Sequence, residues 1–158
     1  MKFIAFIVAM QLAAVAFAQD VPEAVSAGFE KKYRDAEDLE WEQSENGYEG
    51  SFYQAGTYKT ALFNKAGQWL HTASLMDGDD LPDVVIDAVY EQHPASLIED
   101  VAEVETPNGM HYALNIFNSR KRFQLEVSPE GKILRSSRVN ADASDLDTDD
   151  DEEEDDDW

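Results

Sequence analysis

Apolar residues recur at helical spacing in two segments of the chain, and a proline opens each segment. The first segment runs from Val21-Pro22 to Tyr33, and the second runs from Leu81-Pro82 to His93. Proline is favoured in the first turn of a helix because its missing N–H has no intrahelical partner there. Pro94 then ends the second segment, since a helix interior does not accept proline. The pattern therefore predicts two helices, one early in the chain and one beyond its midpoint.

Each predicted helix is followed by runs in which polar and apolar residues alternate, the pattern of strands with one buried face. Asn46-Gly47 and Asn108-Gly109 are hairpin turn signals between such runs. Phe52 falls on the face predicted to be buried, and Tyr53 falls on the opposite face. The predicted strands cover residues 38–44, 47–54, 58–64 and 69–75 in the first half, and residues 97–105, 109–117, 120–127 and 132–139 in the second.

The second half repeats the order of features in the first half. The turn glycine Gly47 recurs as Gly109, and Gly67 recurs as Gly131. A repeat that occurs twice and spans about half of the domain is longer than the repeats of common solenoids. The sequence therefore predicts an α+β fold built from two tandem α-β4 units, at about residues 21–76 and 81–139, that form an antiparallel sheet with the helices on one face.

Residues 1–18 have the pattern of a cleaved secretory signal peptide. Lys2 is followed by an apolar run, and Ala16-Phe17-Ala18 places small residues where signal peptidase requires them, so we expect cleavage after Ala18. The alternative is a membrane anchor, but the apolar run is short and acidic residues follow it. The chain has no Cys, so it has no lipidation site and no disulfide framework. We expect a periplasmic or secreted protein with no membrane insertion after signal cleavage.

Charge is concentrated at the C-terminal end of the chain. The 158 residues include 12 Lys and Arg against 34 Asp and Glu, and residues 140–158 contain 12 of those acids and no base. Like-charge repulsion and the lack of apolar periodicity predict that residues 140–158 form a disordered acidic tail. The remaining residues 19–139 are enough for one domain. So acidic a chain is not expected to bind nucleic acid or an anionic membrane surface.

Several short segments, taken in order, resemble the beta-lactamase-inhibitor-like, PepSY-like domain family of exported bacterial proteins. They are Phe29-Glu30-Lys31-Lys32-Tyr33, Leu39-Glu40-Trp41-Glu42, Gly47-Tyr48-Glu49-Gly50-Ser51-Phe52, Ala61-Leu62-Phe63-Asn64, Gly67-Gln68-Trp69-Leu70 and Leu81-Pro82. The resemblance covers about residues 21–139, and the acidic tail lies outside it. It implies a twisted antiparallel sheet with helices on one side. The family carries no settled activity and offers no catalytic residue for this chain.

The residues do not suggest catalysis or a resident cofactor. His71, His93 and His111 are the candidate general bases, but no nucleophile-elbow pattern accompanies them and none is closely spaced with another for metal binding. We therefore expect no enzyme, no cofactor and no metal site. In Asp77-Gly78-Asp79-Asp80, calcium binding is one interpretation, but the long loop and terminal Glu of a calcium site are missing. Capping of the second helix by Asp79 or Asp80 is the expected role.

Two groups of residues are candidates for binding a partner. Tyr53 and Tyr58 belong to an aromatic-rich stretch that forms either a binding platform on the sheet or part of the core. The second group is basic and occupies the last two strands, where it forms either a docking site for an acidic partner or charged edges that resist aggregation. Its candidate residues are Arg120, Arg122, Lys132, Arg135 and Arg138.

These features predict an exported, non-enzymatic protein-binding module, an inhibitor or scaffold of another periplasmic or extracellular protein. The resemblance adds that the sheet face would engage that partner. The alternative is an envelope ion-binding or buffering protein that acts through its acidic tail. Weak, non-specific binding of divalent cations to the tail is compatible with either function, because exposed carboxylates attract such ions without a defined loop.

Overall fold

The computed structural model describes residues 21–139, and its two helices begin directly after the two prolines identified above. Helix α1 covers Glu23–Lys32 and helix α2 covers Asp83–Gln92. Eight strands follow the predicted bounds to within one residue at each end. They are β1 (Glu37–Ser44), β2 (Gly47–Gln54), β3 (Thr57–Phe63), β4 (Trp69–Met76), β5 (Leu97–Thr106), β6 (Gly109–Asn118), β7 (Lys121–Val127) and β8 (Ile133–Val139).

The expectation that Asp79 or Asp80 caps α2 is wrong. Both residues belong to a short 3-10 helix at Gly78–Asp80, and the N-cap of α2 is Pro82, with no side-chain hydrogen bond to the helix terminus. Leu81 and Pro82 are both extended, as expected of a residue before proline and of proline itself. This extended pair separates the aspartates from the start of the helix.

All eight strands form one sheet in the order β1 to β8, and each strand pairs antiparallel with the next. Together with the two helices, this sheet confirms the α+β class. Within residues 21–139, β1 and β8 are the two edge strands, so each pairs with a described neighbour on one side only.

Both helices pack on the same face of the sheet. On β4, Thr72 pairs with Ala61 and Met76 pairs with Val101, and residues four apart on a strand share a face. Ala61 belongs to the core beneath α1, and Val101 belongs to the core beneath α2. We call this side of the sheet the covered face and the opposite side the helix-free face.

The covered face carries two hydrophobic cores of different composition. The core beneath α1 is mainly aromatic, with the rings of Phe29 and Phe52 in an edge-to-face contact at 4.9 Å, whereas the core beneath α2 is mainly aliphatic. The first consists of Val25, Phe29, Tyr33, Phe52, Ala61 and Phe63. The second consists of Leu81, Val85, Val89, Val101, Tyr112, Leu114, Ile116, Leu125 and Val127.

One turn glycine in each half lets the sheet approach the helix backbone. Gly67 has φ +79° and Gly131 has φ +80°, values that side chains other than glycine rarely accept. A Cβ on Gly67 would lie 2.0 Å from the carbonyl oxygen of Ala24, and one on Gly131 would lie 2.5 Å from that of Val84. Glycine is therefore required at both positions for the helices to sit this close to the sheet.

The signal peptide predicted at residues 1–18 and the disordered acidic tail predicted at residues 140–158 lie outside the described residues. Within residues 21–139, neither helix is long and apolar enough to cross a membrane.

Candidate protein-binding face

The helix-free face carries exposed apolar side chains along one end of the sheet. Tyr53 is 43% exposed and Leu75 is 48% exposed, near the ends of β2 and β4. Leu97, at the start of β5, is 61% exposed, and Phe117, near the end of β6, is 39% exposed. Because neighbouring strands run in opposite directions, these positions lie towards the same end of the sheet. Leu97 and Phe117 lie in a row of their own, four residues further along β6 than the row of Tyr53 and Leu75. With Tyr58, these four residues form what we call the apolar rim.

Two cross-strand pairs give the apolar rim its shape. Tyr53 pairs with Tyr58 across β2 and β3, and their rings meet edge to face with centroids 5.4 Å apart. Leu97 pairs with Phe117 across β5 and β6. Residues directly opposite on antiparallel strands lie close enough for such side chains to support one another. Each pair therefore presents two neighbouring apolar side chains on the helix-free face.

The surface between the two pairs carries small side chains and one polar pair. Leu75 pairs with Ala102, which pairs in turn with Ala113, so small side chains follow the exposed leucine across the sheet. Next to them, Asn115 Nδ2 donates a hydrogen bond to Asp100 Oδ2 at 3.1 Å. Small residues between larger apolar ones leave room for a partner side chain to be inserted.

The opposite end of the helix-free face is more enclosed and contains ionisable side chains. Glu49 pairs with Leu62, which pairs in turn with His71, and Leu62 is only 3% exposed. Burial raises the pKa of Glu49 to about 7, and the nearby Glu42 carboxylate contributes to this rise. Burial lowers the pKa of His71, and His111 lowers it further. This end of the face therefore holds little positive charge at neutral pH.

The five predicted basic residues do not form a single patch. Arg122 and Arg135 lie on the helix-free face, where Arg122 Nε contacts Glu99 Oε2 at 3.1 Å and Arg135 Nη1 contacts Glu126 Oε1 at 3.4 Å. Arg138 pairs with Phe123 and so lies on the covered side of β8. Arg120 and Lys132 occupy the turns at opposite ends of β7. Of this group, Arg122 lies beside the apolar rim because it pairs with Phe117.

Sequence reasoning selected Tyr53 and Tyr58 but not the other three members of the apolar rim. Alternation does place Phe117 opposite the buried Ile116, which signals an exposed aromatic ring. Leu97 precedes Ile98, and two adjacent apolar residues at the start of a strand necessarily point to opposite faces. Leu75 follows the same alternation between Ser74 and Met76.

The three histidines are not arranged for nucleophilic catalysis. His93 ends α2, its ring contacts Phe123 with centroids 4.9 Å apart, and its Nε2 has no hydrogen-bond partner within residues 21–139. His71 and His111 lie on the other side of the sheet, where burial lowers the pKa of each. Among the described residues, no group of three or more His, Asp or Glu side chains could hold a metal ion. The helix-free face therefore offers a partner apolar and aromatic contact at the apolar rim, together with the ion pairs of Arg122 and Arg135.

Solved structures of Bacteroides proteins have a similar fold. A DUF2874 family protein from Bacteroides ovatus is 27% identical, with a TM-score of 0.68, covering 75% of this chain and 87% of that one. A BLIP-like protein from Bacteroides fragilis is 24% identical, with a TM-score of 0.68, covering 78% and 90%. One from Bacteroides eggerthii, described among "putative periplasmic proteins", is 20% identical, with a TM-score of 0.69, covering 75% and 89%.

A match to one domain family extends over most of the chain. No curated protein matches the chain. The sequence profile of one domain family matches two overlapping segments, residues 11–56 and 46–135, which together span both helices and most of the sheet. The chain therefore belongs to the beta-lactamase-inhibitor-like, PepSY-like family.

Proposed function

We propose that this protein is an exported, non-enzymatic binding module that uses its helix-free face to bind another exported protein. The observation that supports this function best is the apolar rim, in which four large apolar side chains are each at least 39% exposed. Exposed apolar side chains that are grouped together on a soluble domain are typical of surfaces that bind proteins. Tyrosine and arginine are also enriched among the residues that dominate binding energy, and Tyr53 and Arg122 belong to this surface.

The mode of action that fits this surface is occlusion or scaffolding. A sheet with an apolar rim can cover a site on its partner without chemical change, and it needs no cofactor. The family is described as inhibitor-like, and one structural neighbour is described as BLIP-like. Inhibition of an exported enzyme by surface complementarity is consistent with both descriptions. A signal peptide at residues 1–18 would bring the domain to the periplasm or the exterior.

We further propose that the domain arose as two tandem α-β4 units, about residues 21–76 and 81–139. One helix followed by four strands occurs twice along the chain, and the short 3-10 helix lies between the two copies. Tyr33 and His93 end the two helices with nearly equal backbone angles, at φ −125° and −129°. Gly67 and Gly131 approach the helix backbone in the same way at Ala24 and Val84, each the second residue after its opening proline. A duplicated unit accounts for all three correspondences.

Two tyrosines of equal exposure provide a matched test of the binding face. Tyr53 on the helix-free face and Tyr90 on α2 are both 43% exposed. We expect the immobilised mature protein to capture a defined partner from the exported fraction of its source cells, and Tyr53→Ala to reduce that capture about tenfold, as for a residue that dominates binding energy. Tyr90→Ala should capture as much as the wild type. Equal losses for both variants, or none for either, would contradict the proposal.

A version that ends at Val139 separates the proposed function from the alternative of ion binding or buffering by the acidic tail. If the helix-free face is the functional surface, the shortened protein keeps its partner and remains sensitive to Tyr53→Ala. If the acidic tail is the functional part, the shortened protein loses ion binding. Tyr53→Ala then leaves ion binding by the full-length protein unchanged.

A further inference from the structure

The β2–β3 hairpin and the β6–β7 hairpin close with turns of the same shape but of different residues. The turns are Ala55-Gly56 in the first hairpin and Ser119-Arg120 in the second, two residues in each case. All four residues have positive φ, at 51° and 79° in the first turn and at 49° and 63° in the second. Glycine adopts such angles freely, whereas a residue with a Cβ adopts them at a cost in free energy. An arginine therefore occupies a backbone position that favours glycine.

Side-chain hydrogen bonds hold the turn of the β6–β7 hairpin in this conformation. The side-chain amide Nδ2 of Asn118 donates to the carbonyl oxygen of Pro94 at 2.9 Å and to Ser96 Oγ at 3.0 Å, both in the connection between α2 and β5. Ser119 Oγ donates to Asn118 Oδ1 at 2.8 Å. The turn is therefore tied to a neighbouring segment as well as to its own strands, so a partner that binds it has less chain entropy to remove.

The same turn carries three consecutive cations on a chain that is otherwise strongly acidic. We call residues 119–122 the basic turn; its cations are Arg120, Lys121 and Arg122, and all four residues are exposed. Residues 106–125 contain no Asp or Glu, although the whole chain has 34 acids against 12 bases. Within residues 21–139, Arg122 contacts Glu99, but no carboxylate forms a salt bridge with Arg120 or Lys121. The basic turn is therefore a local site that attracts carboxylates.

The basic turn adjoins the apolar rim. Phe117, a member of the rim, lies two residues before the turn and pairs with Arg122 across β6 and β7. On its other side, Phe117 pairs with Leu97, which is 61% exposed. A cation and two apolar side chains thus lie side by side on the helix-free face, and Arg120 and Lys121 follow at the end of the hairpin. Arginine binds carboxylates through several N–H groups in a fixed geometry, which suits recognition of acidic groups.

We propose that the basic turn binds an acidic segment of the partner. Its three cations meet the carboxylates of that segment, and Leu97 and Phe117 contact an apolar side chain next to them. This inference rests on the proposed function and specifies the chemistry of the partner. It also accounts for an arginine at a position that favours glycine, because the side chain of Arg120 serves binding rather than folding. An anionic membrane would require a broad basic surface, whereas these cations are confined to one turn of an acidic chain.

Two short peptides test the preference for acidic segments. The acidic peptide is Glu-Glu-Phe-Glu-Glu and the neutral peptide is Gln-Gln-Phe-Gln-Gln, both with blocked termini. In about 20 mM NaCl, the acidic peptide should shift the amide NMR signals of residues 117–122 of the mature protein about threefold more than the neutral peptide does. The difference should disappear near about 0.5 M NaCl, because salt screens exposed charges. Equal shifts from both peptides at low salt would overturn the proposal.

Arg120→Gly separates the role of the cation from the folding of the hairpin. Glycine is favoured at this φ, so the variant should keep the hairpin and should not lower the melting temperature. We expect it to reduce the extra shift caused by the acidic peptide about twofold. The matched control is Lys65→Gln, which removes one exposed cation from the turn between β3 and β4 and should leave that shift unchanged. An undiminished shift in Arg120→Gly, or an equal loss in both variants, would contradict the proposal.

Failure of this inference can be distinguished from failure of the proposed function. If Tyr53→Ala reduces capture of the partner but Arg120→Gly does not at low salt, the helix-free face is the binding surface and the preference for an acidic segment is wrong. The converse result, a loss of capture in Arg120→Gly alone, would contradict the proposed function and leave that preference intact. If the mature protein binds vesicles of anionic phospholipid more tightly than the acidic peptide, the ligand of the basic turn is a membrane, and the proposal is overturned.

Discussion

The two faces of this sheet consist of alternate residues of the same strands, yet they differ in almost every physical respect. Phe52 is 0% exposed on the covered face, while its neighbour Tyr53 is 43% exposed on the other. Ile116 and Phe117 show the same contrast, at 0% and 39%. The covered face is filled by two helices, whereas the helix-free face keeps Tyr53, Leu75, Leu97 and Phe117 at the surface. Burial explains the first set of residues, but it does not explain the second.

This difference separates residues that the fold requires from residues that are available for binding. Removing a buried ring leaves a cavity and lowers stability, whereas removing an exposed one changes stability little. Large exposed apolar groups reduce solubility, so grouping them at one end of the helix-free face indicates a purpose other than folding. Substitutions on the two faces should therefore affect different properties, stability on the covered face and binding on the helix-free face.

The largest loss of stability is expected from Phe52→Ala on the covered face. The ring is fully buried and contacts the rings of Phe29 and Tyr33, so its loss should lower the free energy of unfolding by about 3–5 kcal/mol. Tyr53→Ala, one residue further along the strand, should lower it by no more than about 1 kcal/mol, the value of its cross-strand contact with Tyr58. Chemical denaturation of the two variants measures both values. Similar losses for both would contradict the assignment of the faces.

A glycine pair tests how closely the helix must approach the covered face. Gly67 and Gly56 both have φ +79°, but a Cβ on Gly67 would meet the backbone of Ala24, and one on Gly56 would have no atom within 4 Å. Gly56→Ala should therefore cost about 1 kcal/mol from backbone strain alone. Gly67→Ala should cost about 2–4 kcal/mol, because the clash adds to the same strain. Thermal unfolding gives the difference, and equal costs would show that α1 can move away freely.

The strands and helices that build the covered face were predicted well, because each is marked by a pattern of neighbouring residues. Alternation and turn glycines placed every strand to within one residue at each end, and the prolines located both helices. The role of Asp79 and Asp80 was predicted wrongly because capping depends on the path of Leu81 and Pro82 rather than on residue type.

The helix-free face was predicted only in part. Tyr53 stood out as an aromatic residue at a polar position of its strand. Leu75, Leu97 and Phe117 become a group only when the register of β4, β5 and β6 is known, because they are far apart in the sequence. The basic residues form a single cluster in the sequence, but the strands direct Arg135 and Arg138 to opposite sides of the sheet.

Glu49, on the helix-free face, predicts a pH dependence of stability. Its pKa rises from 4.5 to about 7 on folding. The protonated carboxyl is thus favoured in the folded state, and its contribution is fully present below pH 4.5 and is lost as the pH rises through 7. Glu49→Gln should therefore match the wild type near pH 4.5 and be more stable above about pH 7.5, by about 1–2 kcal/mol after allowance for partial exposure.

Denaturation at a series of pH values measures this gain. The lowered pKa values of His71 and His111 also make stability depend on pH, but both residues are present in the wild type and in Glu49→Gln, so their contributions cancel in the difference. Glu42→Gln serves as the control, because it removes only the smaller cause of the shift and should give a smaller gain. If the wild type and Glu49→Gln differ in free energy of unfolding by the same amount at every pH, folding does not raise the pKa of Glu49.

Leu97→Ser should have the smallest effect on stability among these variants and a large effect on binding. Its side chain is 61% exposed, so Leu97→Ser should change the free energy of unfolding by less than about 0.5 kcal/mol. Partner capture should nevertheless fall. Leu134, 51% exposed on the edge strand β8, is the matched control, and Leu134→Ser should leave capture unchanged. A loss of capture that accompanies a loss of stability would point to folding rather than binding.

Site-specific photo-crosslinking in the source cells tests the central claim, that the helix-free face is the binding surface, most directly. A benzophenone side chain placed at Leu97 or Phe117 samples that face, and one at Val84 or Tyr90, which are 46% and 43% exposed on α2, samples the opposite side of the molecule. We expect a discrete adduct with one exported protein from Leu97 and Phe117 and none from Val84 and Tyr90. Adducts from the α2 positions alone, or equally from both sides, would contradict it.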